Sequence, residues 1–315
     1  MVKKGGLTKQ EKITFLKDVV GAGDFSTDYL PVLLKYLNDE DAEVRALAVE
    51  NLWDYPDRDL VDVLIDKAEH DPDLGVRCKA IITLGRFIYE GDMADYDFDW
   101  GEIESIMRED ELPEEDFLRV RDFLFSVYHD QTRSLDERRY AVEALGFHTN
   151  EQVFSIIEEA YAHPDPKMKM SAIFAMGRSG NDRWTDIVLN ELDNPQKELQ
   201  MEAIRAAGEM GLDEAGKQLW RLTYSEDRDI KLEAIWALGQ TGWEGAFERL
   251  DELTIMGEDE EVREVAEDAL EEWYLFSGLM DETLLEDEEF EEEFMDEGLE
   301  EDFVDEDFEQ FDDED

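Results

Sequence analysis

The chain has 315 residues, 30 basic against 87 acidic, giving a formal charge of −57. Such a surface repels phosphate, which argues against nucleic acid and anionic membranes as partners, since both are bound largely through Lys and Arg. The single cysteine, Cys78, allows no internal disulfide and no Cys-based zinc site.

The N-terminal stretch has lysines but no uninterrupted apolar run, so it is not read as a secretory signal. No segment approaches the 18 or so apolar residues of a membrane span, and the cytoplasm is the expected compartment. Residues 8–20 read as a capping helix within an N-terminal unit, 1–27. Thr8 and Glu11 fit a capping box, and Phe15, Leu16, Val19 and Val20 supply an apolar stripe.

From residue 28 the chain repeats. The nonamers KMSAIFAMG (169–177), QMEAIRAAG (200–208) and KLEAIWALG (231–239) start 31 residues apart, and the frame also reads RRYAVEALG at 138 and RCKAIITLG at 77. Looser copies stand at 45 and 263. A fixed period of this size marks a stacked repeat protein. Counting from the central alanine (Ala80, Ala141, Ala172, Ala203, Ala234), apolar residues recur at −4, 0, +1 and +4, a helical period. A glycine follows at +5 (Gly85, Gly146, Gly177, Gly208, Gly239), where a left-handed residue ending the helix is expected. Asp41, Asp73, Asp165, Asp227 and Asp259 each stand four residues before a Lys or Arg, placed to cap the helix. The basic residue is expected to pair with that Asp or with the next repeat's. Between the nonamers, outer helices are expected near 28–38, 57–69, 115–129, 150–162, 182–193, 212–224 and 243–255.

These residues resemble the short HEAT repeat of phycobilisome-lyase-like proteins, roughly D-x-x-V-R-x-x-A-x-x-A-L-G, matched best by DPDLGVRCKAIITLG at 71–85. The resemblance covers about residues 28–275. It implies an all-α fold, a right-handed HEAT/armadillo-like α-solenoid of about seven helical pairs spanning 28–280. It implies function weakly, because HEAT repeats mostly serve as scaffolds.

Two stretches break the period. The 61-residue interval between 77 and 138 holds an insertion, 87–113, whose stretch 95–100 reads as an extended segment pinned by its aromatics, with its aspartates in water. Its Asp95, Asp97 and Asp99 do not make a calcium loop, because Trp100 stands where that loop needs glycine. Residues 281–315 contain 22 Asp or Glu and no Lys or Arg, with phenylalanines at 290, 294, 303, 308 and 311. This reads as a disordered acidic tail that could dock on a partner or in cis.

No phosphate loop, dinucleotide fingerprint or nucleophile elbow is present. The histidines 70, 129, 148 and 163 lack the His-Glu pairs of deoxyhypusine hydroxylases, so no metal or cofactor is expected. Positions −2 and +2 of the inner helices should face the concave groove. In three repeats they are apolar or mixed: Met170/Phe174, Met201/Arg205 and Leu232/Trp236. With Arg139 and Arg178 at the flanks, they form the candidate protein-binding site. The leading reading is a monomeric, non-catalytic scaffold that binds a protein partner, a basic one by charge, through the concave face and the acidic aromatic tail. The alternatives are an acidic chaperone-like protein that shields basic surfaces, and a bilin lyase-like enzyme.

Overall fold

The computed structural model describes residues 7–21, 28–93 and 112–277. The acidic tail and the aspartate-rich part of the insertion, 94–111, lie outside the described residues. Among the described residues all regular structure is helical. After α1 (Lys9–Gly21), outer and inner helices alternate in seven described pairs: α2 (Leu30–Tyr36) with α3 (Ala42–Glu50), and α4 (Asp59–His70) with α5 (Leu74–Thr83). A further helix, α6 (Gly85–Met93), precedes the pair α7 (Glu114–His129) and α8 (Leu135–Leu145). The stack continues with α9 (Glu151–Tyr161) and α10 (Pro166–Ser179), then α11 (Thr185–Glu191) and α12 (Lys197–Glu209). It closes with α13 (Gly216–Leu222) and α14 (Arg228–Gln240), then α15 (Ala246–Met256) and α16 (Glu260–Ser277). The inner helices α3, α5, α8, α10, α12, α14 and α16 pack each on the next, the arrangement of an α-solenoid.

The helices begin where the sequence offers caps. The side chains of Asp41, Asp73, Asp165, Asp227 and Asp259 each accept a backbone N–H of the following turn. Ser134 and Glu137 form a capping box at α8, and Thr8 and Glu11 do so at α1. The basic residue one turn later takes a different part. It reaches into the following repeat, not to its own capping Asp: Arg45 to Asp71, Arg77 to Glu137, Lys169 to Glu191, Lys231 to Glu258. Several of these side chains also donate to carbonyls at the end of their own outer helix. Arg45 donates to Asp39 O, Arg77 to Asp71 O and Arg263 to Gly257 O, and Gln200 does the same to Leu192 O. One side chain thus satisfies a carbonyl left open at an outer-helix end, and in Arg45 and Arg77 also ties neighbouring repeats together.

The core is the column that the nonamer pattern predicts. Ala80, Ala141, Ala172, Ala203 and Ala234 are fully buried, as are Ile81, Val142, Ile173, Ile204 and Ile235 beside them. The glycines at +5 correct the expectation of a left-handed cap. Gly177, Gly208 and Gly239 lie inside their helices, and Gly146 caps α8 with φ −58°. Each faces the small +3 residue of the next inner helix or its equivalent. A Cβ on Gly146 would stand 2.7 Å from Ala175 Cα, and one on Gly177 2.9 Å from Ala206 Cα. Glycine is there so that adjacent inner helices can touch backbone to backbone. The left-handed residues come three positions later, at Gly180, Gly211 and Gly242.

At the long interval, α5 packs directly on α8, so the inner layer runs on without a missing repeat. The extended segment expected at 95–100 lies outside the described residues, whereas the start of the insertion is a helix. Residues 85–93 are helical, and Phe87 and Ile88 are fully buried where α6 packs on α7 and α8.

Candidate functional site

The face of the inner helices turned away from the outer layer is only partly covered. On it Met170, Phe174, Met201, Leu232 and Trp236 are all half-buried, and Met170, Met201, Leu232 and Trp236 pack one side on the core. Arg178 and Arg205 are exposed and Arg139 is half-buried. Helical geometry puts +2 next to −1 and +6 on one side, and these neighbours were missed when the groove was read from −2 and +2 alone. They include Lys79, Tyr140 and Glu202 at −1 and Phe147 at +6. Trp53 joins them from the 3₁₀ turn Asn51–Asp54 that follows α3.

These residues enclose a cleft of about 400 Å³, lined by Glu50, Trp53, Asp54, Lys79, Ile82, Thr83, Tyr140, Glu143 and Phe174. Of the sequence-predicted site, Phe174 lines this cleft. Arg178 stands next to it, its guanidinium 5.1 Å from the Phe174 ring centre and 5.7 Å from that of Phe147. Phe147 in turn lies 5.5 Å from Trp53, centre to centre. Arg139 lies over the Tyr140 ring at 3.9 Å. Met201, Leu232 and Trp236 continue the face toward the C-terminal repeats but do not line the cleft.

The arginines are held by carboxylates. Arg139 Nε donates to Asp136 at 2.8 Å and its Nη1 to Glu143 at 3.0 Å. Arg205 donates to both oxygens of Glu233 at 2.9 and 2.8 Å and to Glu202 at 3.3 Å. Arg178 pairs with Glu209 at 3.1 Å, and Lys79 pairs with Glu50. Burial pushes the Glu143 carboxyl above its ordinary range, although Ser171 and Arg139 donate to it. Glu202 is pushed up to about 7, by burial first and by the charges of Glu143 and Glu209, with Arg205 opposing. Burial raises Glu209 as well. The face is therefore apolar at its centre and rich in carboxylates, some of them short of compensation.

Two features elsewhere bear on function. Cys78 is 5% exposed, and burial pushes its thiol up to about 12, so it is a packed thiol at neutral pH. On the outer layer, Trp220 and Tyr224 stack edge to face at 5.1 Å and, with Ile255 and Met256, remain exposed. Sequence reading had placed no site there. Among the described residues no group of His, Cys, Asp and Glu is arranged to hold a metal ion.

A family model of HEAT repeats matches residues 30–96 and 185–271. No curated protein sequence matches the chain. Among solved structures, the complex of CpcE and CpcF of phycocyanin lyase from Nostoc is similar at 16% identity and a TM-score of 0.51. That match covers 83% of this chain and 97% of that one. YibA of Escherichia coli aligns at 14% identity and a TM-score of 0.44, over 86% of this chain and 98% of that one. Human deoxyhypusine hydroxylase aligns at 15% identity and a TM-score of 0.37, over 85% and 91% respectively. At 16% identity the likeness to the phycocyanin lyase complex speaks to the fold alone.

Proposed function

We propose that this chain, a HEAT-repeat protein, is a non-catalytic scaffold whose concave face binds a basic protein partner. The observation that carries this reading is the run of half-buried apolar side chains along the inner helices, from the cleft at Trp53, Tyr140 and Phe174 to Leu232 and Trp236. A face that is only solvated should be polar at these positions, whereas Met and aromatics in a shallow groove offer area for side chains of a partner. The formal charge of −57 favours a basic partner over an acidic one. The protein is proposed to act as a monomer in the cytoplasm. No described helix is long and apolar enough to cross a membrane.

The test is affinity purification of the full chain from its own cells, followed by mass spectrometry, with wild type and Trp236→Ala side by side. Loss of a wild-type partner from the variant, with an unchanged melting curve, supports the groove. Equal capture by both removes its basis. The chemistry of the chaperone-like alternative is charge alone. Capture that vanishes between low and physiological salt and ignores Trp236→Ala would favour it. A bilin lyase-like role draws no support from Cys78, which is neither exposed nor ionised near neutral pH.

A further inference from the structure

We propose that the cleft at Trp53, Tyr140 and Phe174 is a subsite for one cationic side chain, an arginine or lysine on a basic segment of the partner. The inference rests on the scaffold reading above and names what the cleft within that groove reads.

Three observations lead to it. First, the cleft combines aromatic rings with carboxylates: Trp53, Tyr140 and Phe174 with Glu50, Asp54 and Glu143, against a single cation, Lys79. Rings present their negative faces to cations, and Trp does so best. Second, the internal cations are spent. Lys79 is paired with Glu50, Arg139 with Asp136 and Glu143, and Arg178 with Glu209. Two groups of the lining are not so used: no described cation lies over Trp53, and Asp54 has no described ion pair and is exposed. Third, this part of the molecule already holds guanidinium groups on rings, Arg139 over Tyr140 at 3.9 Å and Arg178 over Phe174 at 5.1 Å. Tyr140 and Phe174 are thus already covered, and Trp53 is the ring of the lining with no described cation over it for an incoming arginine to meet.

Charge also decides against the acidic tail and the aspartate-rich insertion as the occupant. Residues 281–315 carry no Lys or Arg, and the stretch around Asp95, Asp97 and Asp99 is acidic. The arginines that would draw an acidic tail into the groove are held by Glu143, Glu202, Glu209 and Glu233.

The test uses the full chain labelled with 5-fluorotryptophan and followed by fluorine NMR, with Trp53 assigned through Trp53→Phe. The probes are N-acetyl-arginine methylamide, N-acetyl-lysine methylamide and N-acetyl-glutamate methylamide, added at constant ionic strength. The expected result is a saturable shift of the Trp53 resonance with the two cations, at a dissociation constant on the order of 1–10 mM. The glutamate probe should give none, and Trp236 should stay still. Asp54→Asn combined with Glu143→Gln should weaken the response several-fold. If the double variant disturbs the other tryptophan resonances, Asp54→Asn alone serves, since that side chain is exposed. A Trp53 resonance that ignores the cations, or moves equally with glutamate, overturns the subsite. The assay needs no partner, so the two readings fail separately. An unresponsive cleft beside a partner lost through Trp236→Ala would discard the subsite and keep the scaffold. A responsive cleft with no Trp236-dependent partner would do the reverse.

Discussion

The glycines at +5 give the sharpest energetic prediction, and Gly239 the largest. In a helix interior, Gly to Ala should by propensity alone stabilise by about 1 kcal/mol. At Gly239 the added methyl would run into the Ala269 carbonyl of α16, its Cβ 2.8 Å from the carbonyl carbon and 2.9 Å from Cα. Backbone cannot rotate aside as a side chain can, so α14 and α16 must separate. With backbone as the obstacle the cost falls in the upper part of the roughly 1–3 kcal/mol range for overpacking, and the propensity gain of about 1 kcal/mol is subtracted from it. A net loss of about 1–2 kcal/mol is expected, a fall in melting temperature of roughly 2–6 °C for a body of this size. Gly85→Ala should be mildest of the five, because its nearest neighbour, Ala144 Cα, would be 3.1 Å away. Gly180 serves as the contrast: it has open space within 4 Å but φ +56°, so alanine there costs about 1 kcal/mol of backbone strain and no packing. Melting followed by far-ultraviolet circular dichroism gives the values. A Gly239→Ala protein as stable as wild type would refute the close-approach explanation.

Three further outcomes follow from individual contacts. The Glu202 carboxyl titrates near 7 in the folded chain against 4.5 ordinarily. The unfolded chain therefore releases its proton first, and this group's contribution to stability falls as pH rises from about 4.5 to 7. Glu202→Gln should accordingly stabilise by about 2 kcal/mol at pH 8 and by nothing at pH 4, read from urea unfolding at the two pH values. Equal effects at both would contradict the assigned burial. Arg45 makes a bidentate pair with Asp71, both residues buried. Asp71→Ala leaves the guanidinium without its partner and should cost about 3 kcal/mol in the same assay, while Asp54→Asn, on an exposed group, should cost almost nothing. Phe174→Asp should abolish partner capture while lowering stability less than the roughly 3–5 kcal/mol of a fully buried aromatic. A loss of that full size would place Phe174 in the core.

Much of the architecture was legible because the repeat writes it several times. The buried column at the central alanines and the Asp caps follow from spacing alone. The glycines were read by the commonest local reason, a left-handed cap, when the reason is the neighbouring helix. A contact between Gly146 and Ala175 leaves no trace in either local sequence. The lysine and arginine ladder was half legible, since partners such as Asp71 and Glu137 lie in another repeat and only the stack selects among many carboxylates. The candidate face shows the same division. Phe174 and Trp236 stood out because apolar residues occupied a period where charge was expected. Trp53 did not, because it sits in the turn after α3, off the helical frame, and reaches the cleft only through the packing of α3 on α5. Tyr140 is the i−3 neighbour of Glu143, and a wider helical stripe would have included it.

The central claim is that the concave face, not the outer layer, meets the partner. A photo-crosslinking residue, p-benzoylphenylalanine, placed in turn at Trp236, at Tyr140 and at outer-layer Trp220, tests this in the full chain without altering charge. Irradiation in cells should join one and the same basic protein to positions 236 and 140 and leave position 220 without it. Crosslinking of the partner at 220 alone would contradict the account and move the binding surface to Trp220 and Tyr224.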